Sequence, residues 1–291
     1  MNSIYRDPEG REQIRLWCSG LLDSWTVPHE RTVVTAAGAH THLVTAGDGP
    51  TTVVFVPGTG FNAATSLPLA TALVADGHRV VLADVPGQPG LSSDRRPASR
   101  AGLAWYGAWL DEVVEQSPPG PVVTMGHSLG AAICLNAGTS RISRQILVSP
   151  AGLTRLRVAP RVAATAAAWS LRPTPARSSR LLRALHTPGH PPREELVTWM
   201  TLVARHARSS GAPTVTSPAR PVARYVVSGE HDTFLPPRRL QDAARAVLGT
   251  RLRVVPVAGH LLTDEQPELL SSLVADPERP DHQGGPAGVG R

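Results

Sequence analysis

The chain has 291 residues, of which 41% are hydrophobic, so it can bury a globular core and is neither fibrous nor broadly disordered. Its net charge is +6, yet all 29 basic residues are arginine, and the absence of lysine excludes a Walker A loop, a Schiff base and a Ser-Lys nucleophile. An arginine-only, Ala/Pro/Gly-rich composition is typical of a GC-rich coding bias, so we expect no nucleic acid partner.

Membrane and secretory signals are also missing from the sequence pattern. The longest apolar runs, at residues 53–56 and 80–83, are strand-sized and far short of a membrane span. The first residues, "MNSIYRDPEGREQ", are polar and show no signal peptide. Cys18 and Cys134 lack the spacing of a metal site or a disulfide framework, so we expect reduced, buried thiols. These features predict a cytoplasmic protein without a membrane partner.

The first third of the chain predicts a helix followed by the opening of a sheet. Residues 1–30 form a helical lead-in with an apolar face. Three β-branched runs then follow, "RTVVTAAG", "HTHLVTAG" and "TTVVFVPG", and their short turns are typical of antiparallel strands. A helical period from "AATSLPLATALVADG" ends at Gly77. The next strand, "HRVVLADV", completes this part of the sheet.

The middle of the chain alternates strands and helices, and this order predicts a mostly parallel sheet covered on both faces. A helix over "LAWYGAWLDEVVEQ", a strand "PVVTM", a helix "LGAAICLNAG" and a strand "QILVSP" complete residues 31–150. Residues 151–221 interrupt the pattern with Ala- and Arg-rich helices, which we interpret as a cap inserted over the carboxyl ends of the strands. The alternation resumes over residues 222–275, and residues 276–291 are expected to be a disordered tail.

Ser128 lies at the centre of "GHSLG", which fits the pattern G-x-S-x-G. A serine at a sharp strand-to-helix turn is held in a strained conformation, and side chains at Gly126 or Gly130 would collide with neighbouring backbone. The turn leaves the hydroxyl exposed above the sheet. The β-rich "PVVTM" before it and the helical "AAICLNA" after it favour a nucleophile over an inert turn residue.

A serine nucleophile needs a base and an orienting carboxylate. His260 follows the last strand on the same rim as Ser128, whereas His127 should point elsewhere and His78 lies at the opposite edge. Asp232, after the preceding strand, is the preferred carboxylate, with Glu230 as the alternative. For Asp264 and Glu265 we expect helix capping, and Asp84 should brace the "PGQPG" loop.

The order Ser128, Asp232, His260 resembles the α/β-hydrolase superfamily, and in particular its capped serine hydrolases with esterase-like activity. The resemblance covers roughly residues 31–275 and rests on "PGTGFN", "DVPGQPGLSS", "GHSLG", "SGEHDTFLP" and "GHLLTDEQP". It implies Ser128 as nucleophile, Asp232 as acid and His260 as base, and the α/β-hydrolase fold with a helical cap.

The resemblance also implies an oxyanion hole made by the backbone amides of Leu129 and Thr59. Many relatives have His-Gly before the second of these, where this chain has Pro57-Gly58. The hole consists of amides, so the chemistry survives the change, while the orientation of the Thr59 loop is open. A serine at position 128 argues against the haloalkane dehalogenase and epoxide hydrolase branches, which the family associates with aspartate there.

The sequence thus predicts a hydrolase that cleaves an ester or related acyl bond of a small, largely apolar substrate, with no metal or organic cofactor. Phe61, Trp169, Trp199 and Met200 are candidate pocket residues. The arginine excess of residues 151–221 leaves open a thioesterase that receives its acyl group from an acidic carrier protein or coenzyme A. A non-hydrolytic binding protein or a lyase of the same fold also stays open.

Overall fold

An eight-stranded sheet runs through the part of the chain that the computed structural model describes, residues 3–95, 102–208 and 214–275. In space the strand order is β1-β2-β4-β3-β5-β6-β7-β8. The β1–β2 and β2–β4 pairs are antiparallel and every later pair is parallel, which confirms the predicted sheet. The strands are β1 (His29–Ala36), β2 (Ala39–Ala46), β3 (Thr52–Val56), β4 (Arg79–Ala83), β5 (Val122–His127), β6 (Ile142–Val148), β7 (Ala223–Gly229) and β8 (Leu252–Val255).

Helices cover both faces of this sheet. A 3₁₀ turn at Ala64–Ser66 leads into the second of them. Residues 262–275 form two helices and not one, because Pro267 has no N–H to donate inside a helix and instead begins a new one. The helices are α1 (Pro8–Asp23), α2 (Leu67–Ala75), α3 (Gly102–Glu115), α4 (Leu129–Asn136), α5 (Pro160–Leu171), α6 (Pro175–Leu185), α7 (Glu194–His206), α8 (Pro237–Leu248), α9 (Leu262–Glu265) and α10 (Pro267–Ala275).

Two hydrophobic clusters form the core, one on each face of the sheet. Alternate side chains of β3 point to opposite faces, so Phe55 belongs to one cluster and Val54 to the other. The Phe55 side is covered by α1, α2, α6, α7 and α10, and the Val54 side by α3, α4 and α8. Cys18 and Cys134 are buried, free thiols in these clusters, as predicted.

Three helices, α5, α6 and α7, are inserted between β6 and β7, within the segment predicted as a cap. Trp199 of α7 packs on Trp17 of α1 with ring centroids 4.9 Å apart. The carbonyl of Leu185, at the end of α6, accepts a hydrogen bond of 2.7 Å from the amide of His260. The inserted helices therefore contact both the opening helix and the loop after β8.

Two further sequence predictions concern the C-terminal tail and membrane-spanning helices. The tail predicted at residues 276–291 lies outside the described residues. Within the described residues, every helix is too short or too polar to reach across a bilayer.

Helix α4 approaches strand β3 so closely that only glycine fits at the contact. A Cβ atom built on Gly130 would lie 1.9 Å from the carbonyl oxygen of Val56, well inside any permitted separation. The neighbour is backbone in the middle of the sheet, so it has little room to shift. The start of α4, and with it the turn that carries Ser128, is placed by this contact.

We expect Gly130→Ala to lower the free energy of unfolding by about 1–3 kcal/mol, because the added methyl group overpacks a rigid contact. Chemical denaturation measures the change. Gly20→Ala is the matched control: it lies inside α1 with open space around its Cβ position, so it should stabilise by about 0.5–1 kcal/mol. A neutral Gly130→Ala would contradict the close contact.

Candidate active site

Ser128 occupies a strained turn between β5 and α4. Its backbone angles are φ 51° and ψ −108°, a region that non-glycine residues rarely enter. The amide of Ser128 donates to the carbonyl of Val148 at 2.9 Å, and its carbonyl accepts from the amide of Ala131 at 3.1 Å. A Cβ on Gly126 would lie 2.4 Å from the carbonyl oxygen of Gly130. Both glycines of the motif are therefore required by crowding, as the pattern predicts.

Asp232 and His260 form a direct, buried pair. Nδ1 of His260 lies 2.9 Å and 3.0 Å from the two carboxylate oxygens of Asp232, so this nitrogen donates its proton to the carboxylate. Both residues are about 4% exposed. In a neutral imidazole the other nitrogen, Nε2, then carries the free lone pair and can accept a proton.

Asp232 is held as a carboxylate by its surroundings. Oδ1 accepts from the amides of Phe234 and Leu235, each at 2.9 Å, and Oδ2 accepts from the hydroxyl of Ser228 at 3.0 Å. Burial by itself would raise the pKa of Asp232, but the charge and hydrogen bond of His260, with the backbone donors, outweigh it and lower the pKa to about 2. The group is therefore ionised at neutral pH.

Ser128 lies next to this pair without a direct hydrogen bond to it. The Ser128 hydroxyl makes no hydrogen bond to another described residue, and neither does Nε2 of His260. The connection runs through the adjacent residue: Nε2 of His127 lies 2.9 Å from the carbonyl oxygen of His260, and the two imidazole rings are 5.1 Å apart. The structure thus brings Asp232 and His260 into contact and places the Ser128 turn against the same segment.

His127 braces the site as a neutral residue. Burial first, and then the charge of His260, lower the pKa of His127 to about 3. The neutral ring donates Nε2–H to the His260 carbonyl, while Nδ1 faces Gly58, where an added Cβ would lie only 2.8 Å away. His127 points away from the nucleophile, as expected, but its bridge between the Gly58 and His260 loops is not evident from the sequence.

The other acidic candidates take different positions. Glu230 is exposed, and Oε2 lies 3.9 Å from Nε2 of His231, so it is not the partner of His260. The helix-capping role expected for Glu265 is wrong: its carboxylate accepts from the amides of Gly259 (2.9 Å) and Thr187 (2.6 Å). Glu265 thereby ties the residue before His260 to the end of α6.

Asp264 is likewise not a cap but the centre of a buried ion cluster. It pairs with Arg193 through Oδ1 and with Nε2 of His186 at 3.0 Å through Oδ2. Nδ1 of His186 also faces an acceptor, the carbonyl of Leu182 at 2.8 Å, so both ring nitrogens are placed to donate. The sequence separates these groups by 71 to 78 residues, which is why the pattern alone does not reveal them.

The charge of His186 is favoured by this cluster. Burial acts to lower its pKa, but the hydrogen bonds to Asp264 and to the Leu182 carbonyl, with the charges of Asp264 and Glu265, outweigh burial and raise it. His186, His190 and Asp264 also bring three potential metal ligands within 4.8 Å of one another. However, both oxygens of Asp264 are already engaged, Oδ1 by Arg193 and Oδ2 by His186.

The loop after β3, which contains Thr59, is fixed by side chains at Gly60. The amide of Gly60 donates to Oε1 of Gln88 at 3.0 Å, and its carbonyl accepts from Nε1 of Trp199 at 2.7 Å. Asp84 accepts from the amides of Ala63 and Leu91, so it braces the "PGQPG" loop as predicted and joins it to the Thr59 loop.

A cavity of about 200 Å³ opens beside the Thr59 loop, and we refer to it as the Thr59 cavity. Of the predicted pocket residues, Trp169 and Met200 line it, while Phe61 lines a much smaller neighbouring space with His127. Trp199 is fully buried and does not line the cavity; its indole N–H donates to the carbonyl of Gly60. The remaining lining includes Gly60, Gln88, Pro89, Val203, Ala204 and Ala207, with Arg6 and Arg208 also contributing.

Comparison with known proteins shows which family and which solved structures the chain resembles. A model of the alpha/beta hydrolase family matches residues 53–273, about three quarters of the chain. Among curated proteins, no sequence matches. The solved structure of carboxylesterase CesB (YbfK) from Bacillus subtilis is similar with a TM-score of 0.73 and 20% identity, covering 92% of this chain and 97% of that one.

Two further solved structures share the fold. Naproxen esterase (carboxylesterase NP) from Bacillus subtilis has a TM-score of 0.72 and 20% identity, over 92% of this chain and 96% of that chain. The thioesterase domain from the curacin biosynthetic pathway has a TM-score of 0.60 and 19% identity, over 85% of this chain and 99% of that domain. At these identities the likeness concerns the fold.

The ion cluster predicts a specific pH dependence of stability. Because the pKa of His186 is raised in the folded state, its stabilising charge is fully present below its ordinary value of 6.5 and is lost as pH rises through the raised value. We expect the stability difference between wild type and His186→Gln to shrink over that range, measured by urea unfolding at several pH values. His40→Gln, at an exposed position of β2 outside the cluster, is the control and should show no such pH-dependent difference. A difference independent of pH would contradict the buried imidazolium.

Proposed function

The chain belongs to the alpha/beta hydrolase family, and we propose that it is a serine hydrolase that cleaves a carboxylic ester of a small, largely apolar substrate. The observation that carries the proposal is the buried Asp232–His260 pair beside a serine at a strained strand-to-helix turn. A structural turn needs neither an imidazole with a free Nε2 nor a carboxylate kept ionised by four donors.

In the first step Ser128 attacks the ester carbonyl. Nε2 of His260 takes the hydroxyl proton as the Oγ–C bond forms, and the Asp232 carboxylate stabilises the imidazolium through Nδ1–H. His260 then gives that proton to the leaving alcohol as the C–O bond breaks. The acyl group stays on Ser128 as an ester.

In the second step water regenerates the enzyme. His260 removes a proton from a water molecule that attacks the acyl carbon, and returns the proton to Oγ of Ser128 as the carboxylic acid leaves. Water is the only co-reactant in these two steps, so they require no metal ion or organic cofactor.

The oxyanion that forms in each step is assigned to the amides of Leu129 and Thr59. Leu129 is the first residue of α4, so its N–H has no partner within the helix and points along the positive end of the helix dipole. Thr59 lies in the loop whose next residue is held by Gln88 and Trp199. Loss of one such donor typically costs about 3 kcal/mol of transition-state stabilisation.

We assign the acyl group of the substrate to the Thr59 cavity, because this cavity borders the loop of the proposed oxyanion donor Thr59. About 200 Å³ lined by Trp169, Met200 and aliphatic side chains suits a short acyl group of low polarity. In this proposal α5, α6 and α7 act as the cap that excludes water from the reaction.

A thioesterase is the second candidate, and one observation favours it: arginine side chains of the inserted segment lie unpaired around a large groove beside Asp232. A thioester of coenzyme A or of an acidic carrier protein would carry matching negative charge. Turnover of matched oxygen and sulfur esters separates the two candidates.

The serine assignment predicts selective labelling by a fluorophosphonate. Intact mass should show one adduct on wild type, one on the exposed control Ser24→Ala and none on Ser128→Ala, because only an activated serine reacts. Esterase activity of Ser128→Ala should fall by at least about a thousandfold. An adduct that persists on Ser128→Ala, or none on folded wild type, would refute the assignment.

The support of Gly60 predicts an effect on kcat. Trp199→Phe removes the donor to the Gly60 carbonyl but keeps a buried ring, so we expect kcat to fall about tenfold while KM changes little. Steady-state kinetics with a small ester measure both constants. Trp17→Phe, on the other ring of the stacked pair, is the control and should leave kcat nearly unchanged. Equal losses in both variants would point to packing and not to the hydrogen bond.

A further inference from the structure

A groove of about 1050 Å³ borders the loop that carries Asp232, and we name it the arginine groove. Its walls are the start of α5, one side of α6 and residues 230–237. It shares no lining residue with the Thr59 cavity. Four of its lining residues are exposed arginines, Arg157, Arg161, Arg180 and Arg183.

The guanidinium groups of these four arginines have no ion pair or hydrogen bond with another described residue. Several other arginines are hydrogen-bonded: Arg141 donates to carbonyls at the end of α3, and Arg220 to the carbonyls of Thr139 and Ile142. Within the inserted helices, Arg177 donates to the Ala168 carbonyl and Arg193 pairs with Asp264. The groove therefore brings together four arginines whose side chains have no partner among the described residues.

The negative charge of the groove does not balance them. Its lining contains two acids, and one of these, Asp232, is buried and committed to His260. The other, Glu230, is exposed and near His231. Four arginines thus face one free carboxylate, and their mutual repulsion in a concave surface is unfavourable unless an anion is bound.

Helix ends add to the positive potential. The N-terminal residues of α5 and α8 both line the groove, and neither helix has a side-chain cap at Ala159 or Pro236. Arg161 lies in the first turn of α5, where a positive charge opposes the helix dipole. Carboxylates are the usual choice at this position, so the arrangement favours an anion supplied from outside.

We propose that the arginine groove binds a polyanionic ligand of nucleotide size that carries two or more phosphate groups. Arginine binds phosphate in bidentate fashion, and four guanidinium groups offer more donors than a single inorganic ion can use. The volume of about 1050 Å³ slightly exceeds the usual range of small-molecule sites, about 300–1,000 Å³, so it has room for a ligand of this size. Binding requires no chemistry at Ser128, so the site is independent of the proposed hydrolase activity.

Two sources share this chemistry: the nucleotide half of coenzyme A and a free nucleoside polyphosphate. Calorimetric titration of the full chain at low salt with coenzyme A, ATP and inorganic tripolyphosphate distinguishes them. Saturable binding of at least one probe is expected. Coenzyme A that binds at least tenfold tighter than the others identifies the first source, and equal binding of all three identifies a polyphosphate site.

The test variant is Arg161→Gln/Arg183→Gln, which should weaken binding of the preferred probe at least tenfold. Arg172→Gln/Arg205→Gln is the matched control: it removes the same net charge from exposed positions of the same segment outside the groove, and should change affinity less than about twofold. Both variants alter exposed side chains, and their thermal unfolding checks that the fold is intact.

The absence of saturable binding to all three probes overturns the proposal, as does an equal loss of affinity in both double variants, which would indicate a diffuse charge effect. An acidic carrier protein that binds while none of the three probes does also overturns it, in favour of a protein partner. Titrations repeated with Ser128→Ala separate this outcome from the hydrolase proposal, because binding should persist there even though labelling is lost.

Discussion

Close backbone contacts on both sides of Ser128 hold it at φ 51°. After Ser128, Gly130 allows α4 to pack against the Val56 carbonyl of β3. Before Ser128, Gly126 packs against the Gly130 carbonyl. These contacts hold the start of α4 directly after the end of β5. The proposed chemistry depends on this strain, which the packed sheet and helix maintain.

The inserted helices hold the loops of the site as well as covering them. Trp199 of α7 fixes the carbonyl of Gly60, and the last carbonyl of α6, on Leu185, holds the amide of His260. Glu265 adds a second link between the His260 segment and the end of α6. If these helices moved away, buried hydrogen-bonding groups on both loops would lose their partners, so the insertion and the loops of Gly60 and His260 are stabilised together.

Local patterns were enough to predict the sheet, because β-branched runs and turn residues act over a few positions. They also placed Ser128, Asp232 and His260 at one edge, since parallel strands share a carboxyl end. The supporting contacts could not be predicted: Trp199 reaches Gly60 across 139 residues and His186 reaches Asp264 across 78. Nothing near Asp264 in the sequence distinguishes an ion-paired carboxylate from a helix cap, so that role was misassigned.

Helix α6 contacts both of the proposed sites. Its exposed side presents Arg180 and Arg183 to the arginine groove, while its buried side ends in Leu185 and continues into His186. The loop of Asp232 is attached to the same helix, because the Thr233 hydroxyl donates to the Ala184 carbonyl at 2.7 Å. A ligand in the groove would therefore contact the element that positions His260. Suppose that the groove ligand and an ester bound near Ser128 favour the same arrangement of α6. Each of them then strengthens the binding of the other, because the coupling free energy between two sites is reciprocal.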